Sequence, residues 1–324
     1  MRQLTVAGLM CSFNGLSRGF LEQALRSIRY QSRPLDEFVF VDDGSTDGTV
    51  EFVRQYFPDA HFIKLPNGGL PRARNAGIAA ISSDLIAFLD DDDLWAPDRI
   101  KKTLIPFQKN SDCLNSTIVF TGARVFRGVD PENGLIVGSL DCYSSWPSCL
   151  VGPVVDGNGG IMLPKKVYQK VGQFREDLTH GEDLDYWHRA LLNGVKFCQI
   201  KEPLFCYRKS HVSMTSNGSY DLKKLEFIKD QLRYDTQLNS KPIIFSIAFA
   251  SLIRSLANGE IKNILFFSRQ IFVSLTGSSA LIAAFRLLSF CFAPFGMKNR
   301  LREVECVLTT NAAMRRPIFF GKTK

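Results

Sequence analysis

The sequence predicts an α/β protein with a mostly parallel central sheet flanked by helices and with a helical C-terminal extension. Three observations support this prediction. Apolar runs of strand length alternate with helix-period segments over the first hundred residues. Polar and acidic clusters follow the predicted strands directly, and after residue 241 the composition shifts to long apolar stretches interrupted by single basic residues. With 324 residues, 45% of them hydrophobic, the chain can form a large core.

The first strand is expected at the apolar run of residues 4–10. A signal peptide is not expected there, because the run is too short and the chain turns polar directly after it. Three strands and three helices then alternate, the strands at 38–41, 61–65 and 85–89 and the helices at 20–29, 46–56 and 70–81. Such alternation is typical of parallel strands joined through helices. In these sheets, ligands bind at the carboxyl ends of the strands.

From about residue 117 to residue 163, the pattern changes to shorter strands with Gly and Pro turns. The later elements are expected as a helix at 182–192, a strand, turn and strand at 195–208, and a charged amphipathic helix at 221–237. We therefore expect one domain over residues 1–215, with halves at 1–115 and 116–215, and a basic helical extension over 216–324.

The positive charge is concentrated in this extension. The chain has a net charge of +8, and residues 240–324 carry 12 basic and 3 acidic residues, whereas residues 1–239 are nearly neutral. A basic tail on a neutral body indicates an anionic partner for the tail alone, and it disfavours a nucleic-acid enzyme. The eight cysteines form no C-x-x-C pair, so neither a zinc site nor a disulfide framework is expected.

A transmembrane helix is not expected, because no window of about 20 apolar residues within 243–296 is free of charge. Helices that lie on an anionic membrane surface fit the single basic residues better. The alternatives are an ordinary helical subdomain packed on the first domain, and a homo-oligomer interface.

Four consecutive aspartates, Asp90 to Asp93, follow the predicted strand at 85–89. Burying four unpaired carboxylates side by side is costly. A hard divalent cation such as Mg²⁺ or Mn²⁺ offsets their repulsion and commonly bridges protein carboxylates to substrate phosphates. The alternative is the first turn of a helix, where acidic side chains are also favourable.

Two further polar loops end strands of the same predicted sheet, Ser12-Phe13-Asn14-Gly15 and Asp42-Asp43-Gly44-Ser45. Acidic groups at such strand ends point into one crevice, where a carboxylate can accept hydrogen bonds from a base or a ribose. The alternative for the second loop is a capped turn. Arg74 lies in a predicted helix close by and can pair with a carboxylate or a phosphate, or belong to a solvated helix face.

Glu182 and Asp183 begin another predicted helix. General-base chemistry needs a carboxylate within hydrogen-bond reach of the attacking hydroxyl, and N-capping is the alternative role. His211, at the end of a predicted strand, is a candidate ligand, although a lone histidine is usually structural or exposed.

Four motifs follow one another along the chain: Val41-Asp42-Asp43-Gly44-Ser45-Thr46-Asp47, Arg72-Ala73-Arg74-Asn75-Ala76-Gly77, residues 89–95, and Glu182-Asp183. Taken together in this order, they resemble the family 2 glycosyltransferases of the bacterial surface-polysaccharide type. That family is an inverting group built on the Rossmann-like GT-A fold of nucleotide-diphospho-sugar transferases. The resemblance covers about residues 4–213. The Gln-x-x-Arg-Trp signature of processive synthases is absent from the sequence, which disfavours a polymer-extruding synthase.

The resemblance implies a role for each matching residue. Asp43 is expected to bind the nucleotide base, with Ser12 and Phe13 lining the same pocket. Asp183 is expected to be the catalytic base. Asp92 is the best match for direct coordination of Mn²⁺ or Mg²⁺, with His211 as a second ligand, although four aspartates in a row leave the coordinating carboxylate open. Further contacts with the nucleotide sugar are implied for Arg74, Asp90, Asp91, Glu182 and Arg208.

The resemblance thus implies metal-assisted transfer of a sugar, with inversion, from a nucleotide-diphosphate sugar to a saccharide or lipid-linked acceptor. A UDP-sugar donor is favoured, and the setting is cell-surface polysaccharide biosynthesis, with the protein peripheral on the cytoplasmic face of the inner membrane. Residues 1–115 would bind the donor and residues 116–215 the acceptor, with 141–146 and 157–160 as candidate acceptor contacts.

Two other functions stay open. A sugar-phosphate nucleotidylyltransferase would need a Gly-rich phosphate loop after the first strand, where the sequence has Gly15 alone. A catalytically silent nucleotide-sugar-binding scaffold would not need the acidic residues that are present.

Overall fold

The computed structural model describes residues 3–137, 158–178, 181–209 and 226–232, with further helical positions at 244, 248, 251–252, 266, 268 and 270–271. The strands are β1 (Val6–Ser12), β2 (Glu37–Asp42), β3 (His61–Lys64), β4 (Leu85–Phe88), β5 (Leu94–Trp95), β6 (Thr117–Phe126), β7 (Leu135–Val137), β8 (Ile161–Pro164) and β9 (Lys196–Arg208). The helices are α1 (Leu21–Arg29), α2 (Thr49–Tyr56), α3 (Leu70–Ala80), α4 (Arg99–Lys109), α5 (Cys113–Ser116), α6 (Lys165–Val171) and α7 (Glu182–Leu192).

The first four strands form the parallel part of the sheet, in the order β3-β2-β1-β4. The predicted alternation of strands and helices over the first hundred residues is therefore confirmed, with element bounds shifted by at most three residues. β1 begins two residues later than predicted and extends to Ser12, which pairs with Asp42 at the end of β2. Both strands thus deliver their polar loops to the same edge of the sheet.

The second part of the sheet mixes strand directions. β8 lies antiparallel between β4 and β6, β9 runs parallel to β6, and β5 and β7 pair antiparallel with β9 and β6. The prediction of short strands after residue 117 is wrong for β6, which has 10 residues. The predicted strand, turn and strand at 195–208 is also wrong, because β9 is a single strand of 13 residues.

A register shift in β6 and β9 accounts for the residues that suggested a turn. Thr121 pairs with Ile200, whereas the next residue, Gly122, pairs with Pro203. A Cβ atom at Gly122 would lie 2.7 Å from the backbone oxygen of Lys201, so glycine permits this close approach. The irregularity places the proline at a bulge, which is where an otherwise continuous strand tolerates one.

Helix α3 packs on β1 and β2 and sets the position of the arginine that it carries. Gly77 faces the sheet, where a Cβ atom would overlap the side chain of Leu9 and lie 2.9 Å from Cγ2 of Val41. Leu9 and Val41 are fully buried core residues. The absence of a side chain at Gly77 therefore lets the helix approach the sheet closely.

We expect Gly77→Val to lower the free energy of unfolding by about 1–3 kcal/mol, because the added methyl groups overpack this contact. Chemical denaturation monitored by circular dichroism measures the change. Ala79→Val is the matched control, since Ala79 lies on the exposed face of the same helix and should cost only the lower helix propensity of valine, about 0.5 kcal/mol. Equal costs at the two positions would contradict the packing argument.

The chain divides into two compact units, one of residues 1–141 and 154–211 and the other of residues 142–153 and 212–324. In the second unit, residues 226–231 are helical, Ile228 and Gln231 are buried, and Nζ of Lys229 donates to Oε1 of Gln270 at 2.8 Å. The ends of the helix predicted at 221–237 lie outside the described residues. The predicted domain boundary at residue 215 stays a prediction. In the described residues, no helix has the length and apolar character needed to cross a bilayer.

Candidate active site

The loops that follow β1 and β2 are joined to each other by hydrogen bonds. The backbone N–H of Asn14 donates to Oγ of Ser45 at 2.8 Å, and the N–H of Thr46 donates to Oδ1 of Asn14 at 2.9 Å. Asn14 adopts a φ of 51°, a left-handed conformation that asparagine tolerates better than most residues. The two loops therefore form one continuous surface at the carboxyl edge of the sheet.

Asp42 and Asp43 have different partners in the second of these loops. Oδ1 of Asp42 accepts the N–H of Ser45 at 3.0 Å, as in the predicted capped turn. Asp43 is buried, and its two oxygens accept the N–H groups of Gly68 and Gly69, both at 2.9 Å. Asp43 therefore fixes the backbone that leads into α3. Its predicted contact with a nucleotide base stays a prediction.

The acidic segment Asp90–Asp93 does not begin a helix. It is followed by β5, and α4 begins only at Arg99. The first-turn alternative is therefore wrong for these four aspartates. Each of the four carboxylates has its own set of contacts.

Asp93 anchors the end of β9. It is buried, and its Oδ1 accepts the backbone N–H of Arg208 at 2.7 Å. Nε of Arg208 donates in turn to the backbone oxygen of Asp92 at 2.6 Å. Burial, with Asp92 and Asp90 close by, raises the pKa of Asp93 well above its usual value. Asp93 is thus a structural anchor of the segment.

Asp91 joins the acidic segment to the loop after β1. Its Oδ2 accepts hydrogen bonds from Oγ of Ser12 and from Nη2 of Arg18, the latter at 2.6 Å. A Cβ atom at Gly15 would overlap both the Asp91 carboxylate and the Ser12 hydroxyl, so the loop passes directly over them. Burial raises the pKa of Asp91 to about 7, although Arg18 and Ser12 oppose the rise.

Asp90 and Asp92 are the two members of the segment with the fewest contacts. The side chain of Asp90 is 36% exposed, and its Oδ1 lies 3.4 Å from Nη2 of Arg74. In the described part of the chain, no other residue donates a hydrogen bond to the carboxylate of Asp92, whose pKa is raised by burial and by Asp90. A carboxylate with free oxygens beside a second acidic group suits a hard cation.

A metal ion bound by Asp90 and Asp92 would need further ligands besides the described residues. Among them, no group of three or more His, Cys, Asp or Glu side chains is arranged to hold a metal ion. Magnesium is commonly held by one or two carboxylates together with substrate phosphates. Asp90 and Asp92 therefore fit a site that the phosphates of a substrate would complete.

Arg74, in α3, connects this segment to the start of α7. It is 2% exposed, and its Nη1 donates to Oε1 of Glu182 at 2.7 Å. In the orientation that satisfies its amide, Asn158 accepts from Nη2 at 2.9 Å and from Nη1 at 3.3 Å. Burial favours the neutral form of Arg74, but Asp90, Glu182 and Asp183 outweigh it and raise the pKa. The solvated-face alternative is therefore wrong for Arg74.

Asp183 lies in the first turn of α7, after Gly181 with a φ of 75°. Its Oδ1 accepts the N–H of Leu184 at 2.8 Å. Burial raises the pKa of Asp183 to about 6, the neighbouring Glu182 adds to the rise, and Arg74 opposes it. Such a carboxylate is ionised at neutral pH yet more basic than an ordinary aspartate, which is the property that a general base requires.

Comparisons with known proteins bear on this site. The sequence profile of the family described as "Glycosyl transferase family 2" matches residues 9–140. Bacillus subtilis TuaG, named as a teichuronic acid biosynthesis glycosyltransferase, is 29% identical over 222 residues, which are 65% of this chain and 82% of TuaG. Bacillus subtilis EpsE, named as a glycosyltransferase, is 28% identical over 198 residues, which are 58% of this chain and 68% of EpsE. Residues 9–140 form a family 2 glycosyltransferase domain.

Crystal structures of S. aureus TarS 1–349 have the same fold as this chain. The complex of TarS 1–349 with UDP aligns with a TM-score of 0.57 at 15% identity, covering 99% of this chain and 94% of that fragment. The complex with UDP-GlcNAc aligns with a TM-score of 0.57 at 17% identity, covering 98% and 94%. The α/β fold of the GT-A type predicted from the sequence is confirmed.

The guanidinium group of Arg208 is fully engaged within the protein. Besides its contact with the acidic segment, Nη2 donates to Oε1 of Gln23 at 2.7 Å and Nη1 to the backbone oxygen of Gly128. The group also lies over the rings of Phe20 and Phe126, at 4.2 and 4.5 Å from their centroids. These contacts make Arg208 a positioning residue for the acidic segment. Its predicted contact with the donor diphosphate stays a prediction.

The structure brings the predicted site residues together in two groups. Ser12 contacts Asp91, and Arg74 contacts both Asp90 and Glu182, next to Asp183. The side chain of Phe13 follows Ser12 and is 46% exposed. His211, Gly157 and the candidate acceptor residues 141–146 lie outside the described residues.

Two contacts of the site have no signal in the sequence. Arg18 carries no motif signal, and its contact with Asp91 joins positions 73 residues apart. Asn158 was named only within a candidate acceptor segment. Its position before Gly159-Gly160 indicates a tight turn, but nothing in that pattern indicates its contact with Arg74.

Proposed function

We propose that the protein is an inverting glycosyltransferase that moves a sugar from a nucleotide-diphosphate sugar to a hydroxyl of a saccharide or lipid-linked saccharide. The observation that carries this proposal is the Asp183 carboxylate, with its pKa raised to about 6 and with the buried Arg74–Glu182 ion pair beside it. The family 2 domain over residues 9–140 supports the reaction type.

In this mechanism, Asp183 acts as the general base. Its Oδ1 is oriented by the N–H of Leu184, and Oδ2 takes the proton from the acceptor hydroxyl. The acceptor oxygen forms a bond to the anomeric carbon while the bond between that carbon and the donor diphosphate oxygen breaks on the opposite face. The electron pair leaves with the diphosphate, and the configuration of the anomeric carbon inverts.

The proposed donor is a UDP-sugar, bound at the carboxyl edge of β1 and β2. Asp43 would accept a hydrogen bond from the base, with Ser12 and Phe13 lining the pocket. The exposed ring of Phe13 offers an aromatic face for stacking. TarS, whose fold is alike, is crystallised with UDP and with UDP-GlcNAc, which supports the choice of nucleotide.

Asp92, with Asp90 beside it, is proposed to hold Mn²⁺ or Mg²⁺, and His211 is proposed as a further ligand. In the described part of the chain, no other residue donates a hydrogen bond to the Asp92 carboxylate, and burial together with Asp90 raises its pKa, so a cation beside it would be favourable. Bound there, the cation would supply positive charge that stabilises the departing diphosphate.

The proposed setting is cell-surface polysaccharide biosynthesis, supported by the likeness to TuaG. The 12 basic and 3 acidic residues of 240–324 support peripheral attachment to an anionic membrane on its cytoplasmic face. The protein should then sediment with native membranes at low salt and be released from them at high salt, because ions screen the electrostatic attraction. Failure to sediment at low salt would contradict the attachment.

The test of the function is a panel of UDP-, GDP-, dTDP- and CMP-sugars with Mn²⁺ and a lipid-linked saccharide extract. Release of a nucleoside diphosphate, with an inverted anomeric centre in the product by proton NMR, is the expected result. Retained configuration would contradict the single displacement. Formation of a nucleoside triphosphate and a sugar 1-phosphate, when pyrophosphate is added to the nucleotide sugar, would favour a nucleotidylyltransferase. Binding without turnover would favour a scaffold.

The pH profile should follow the titration of Asp183. We expect kcat/KM to fall about tenfold per pH unit below about pH 6 and to level off above it, because only the ionised carboxylate accepts a proton. Glu182→Gln removes a neighbouring negative charge that raises this pKa, so its acidic limb should move to lower pH. An acidic limb that stays near pH 6 in this variant would show that another group titrates.

A further inference from the structure

The 3₁₀ turn at Asn158–Gly160 is held by two buried side chains. Nε1 of Trp95 and Nε of Arg99 both donate to the backbone oxygen of Gly159, at 3.0 and 2.9 Å. Nη2 of Arg99 donates to the backbone oxygen of Ile161 at 2.5 Å. In the described part of the chain, Arg99 has no carboxylate partner, and burial lowers its pKa to about 9. Its guanidinium therefore serves to bind backbone carbonyls.

The turn has little freedom to move. Arg99 lies 4.3 Å from the centroid of the Trp95 ring, so the two donors are themselves packed together. A Cβ atom at Gly159 would overlap the ring of Phe205, which is also buried. The turn thus places Asn158, which is 5% exposed, at a defined position against Arg74.

Asn158 is the nearest hydrogen-bond partner of Nη2 of Arg74. Its amide oxygen lies 2.9 Å from Nη2, whereas Oδ1 of Asp90 lies 3.4 Å from the same nitrogen. Nη1 is held by Glu182 at 2.7 Å. A neutral acceptor at position 158 satisfies the buried Nη2 without adding a further anion to those already around Arg74.

We propose that Asn158 is a positioning residue, whose amide oxygen keeps the Arg74 guanidinium between Asp90 and Glu182. Without this oxygen, Nη2 would turn to Asp90 as its remaining partner, and the guanidinium would move away from α7. The charge next to Asp183 would then change. This inference rests on the proposed function, since the positioning matters to transfer only where Asp183 is the base.

The test measures the titration of Asp183 directly, by NMR of the full-length protein labelled with ¹³Cγ-aspartate, with Asp183→Asn assigning the signal. Among the described residues, the charged groups that face Asp183 are Glu182, Arg74 and Asp90. Asn158→Leu keeps the size of the side chain but removes the acceptor, so we expect the pKa of Asp183 to rise by about 0.5 pH unit or more as Arg74 moves away.

Asn158→Asp keeps an acceptor oxygen but adds a negative charge near Arg74, and it should also raise the pKa of Asp183. Asn75→Ala is the matched control. It removes a buried amide of the same helix as Arg74, one that bonds to Phe174, Glu176 and Tyr168, and it should lower the Tm without moving the titration.

An unchanged or lowered pKa of Asp183 in Asn158→Leu would overturn the proposal. If that variant does not fold, Asn158→Ala, which also removes the acceptor oxygen, decides in its place. The measurement uses no donor or acceptor. It is therefore separate from the proposed function, which fails instead if Asp183→Asn transfers sugar at the rate of the unaltered protein.

Discussion

Replacing Asp183 by asparagine is expected to lower the rate of sugar transfer by a factor of about 10² to 10⁴, the range that a positioned general base contributes. Asparagine has nearly the same shape but cannot accept the proton of the acceptor hydroxyl. The N–H of Leu184 can still donate to the amide oxygen in place of Oδ1. Donor binding should therefore be nearly unchanged, so the loss should appear in kcat and not in the affinity for UDP measured by calorimetry.

Asp185→Asn is the matched control for this substitution. It lies two residues further along α7, is fully buried, and pairs with Arg189 at 2.7 Å and with Arg175 at 3.5 Å. Losing a buried ion-pair partner should lower the Tm, with a much smaller effect on kcat. If Asp183→Asn instead loses UDP binding or stability in proportion to its activity, Asp183 has a structural role and the base must be sought elsewhere.

The second large effect is expected at the acidic segment. With millimolar UDP and Mn²⁺ together, the unaltered protein should show a Tm several degrees higher, since a ligand at 100 times its Kd stabilises by about 2.7 kcal/mol. UDP or Mn²⁺ alone should have little effect, because Asp90 and Asp92 provide too few ligands by themselves. Asp92→Ala should abolish the joint effect.

Asp98→Ala is the control for the acidic segment. Asp98 belongs to the same stretch of chain, but it bonds to Ser32 at the surface and lies after β5. Its variant should keep the full response to UDP with Mn²⁺. A normal response in Asp92→Ala would contradict the proposed metal site, whereas stabilisation by UDP without any metal would indicate a metal-independent transferase.

The parallel part of the fold could be predicted because its signals are local. Strand-length apolar runs and helix-period segments alternate from β1 to β4, and each depends on residues close in sequence. The second part could not be predicted as well. Whether Gly122 and Pro203 mark a turn or a bulge depends on the pairing of β6 with β9, which joins residues about 80 positions apart.

Local sequence signals predict even less about the contacts within the site. The four aspartates of residues 90–93 are identical in the sequence, and a pattern of four equal letters cannot assign them different roles. Their roles differ because Asp91 meets Ser12 and Arg18, while Asp93 meets Arg208, at separations of 73 to 115 residues. The sequence therefore predicts where the acidic cluster lies, but not which role each of its four carboxylates has.

The contacts of Trp95 also provide an optical reporter of the site. Its indole N–H donates both to the oxygen of Phe88, in the strand that leads to the acidic segment, and to the oxygen of Gly159, in the turn that holds Asn158. The emission of a buried indole depends on its hydrogen bonds and on its access to water. Fluorescence of a variant that keeps Trp95 as its sole tryptophan would therefore follow, in real time, whether these two segments separate when a nucleotide sugar binds.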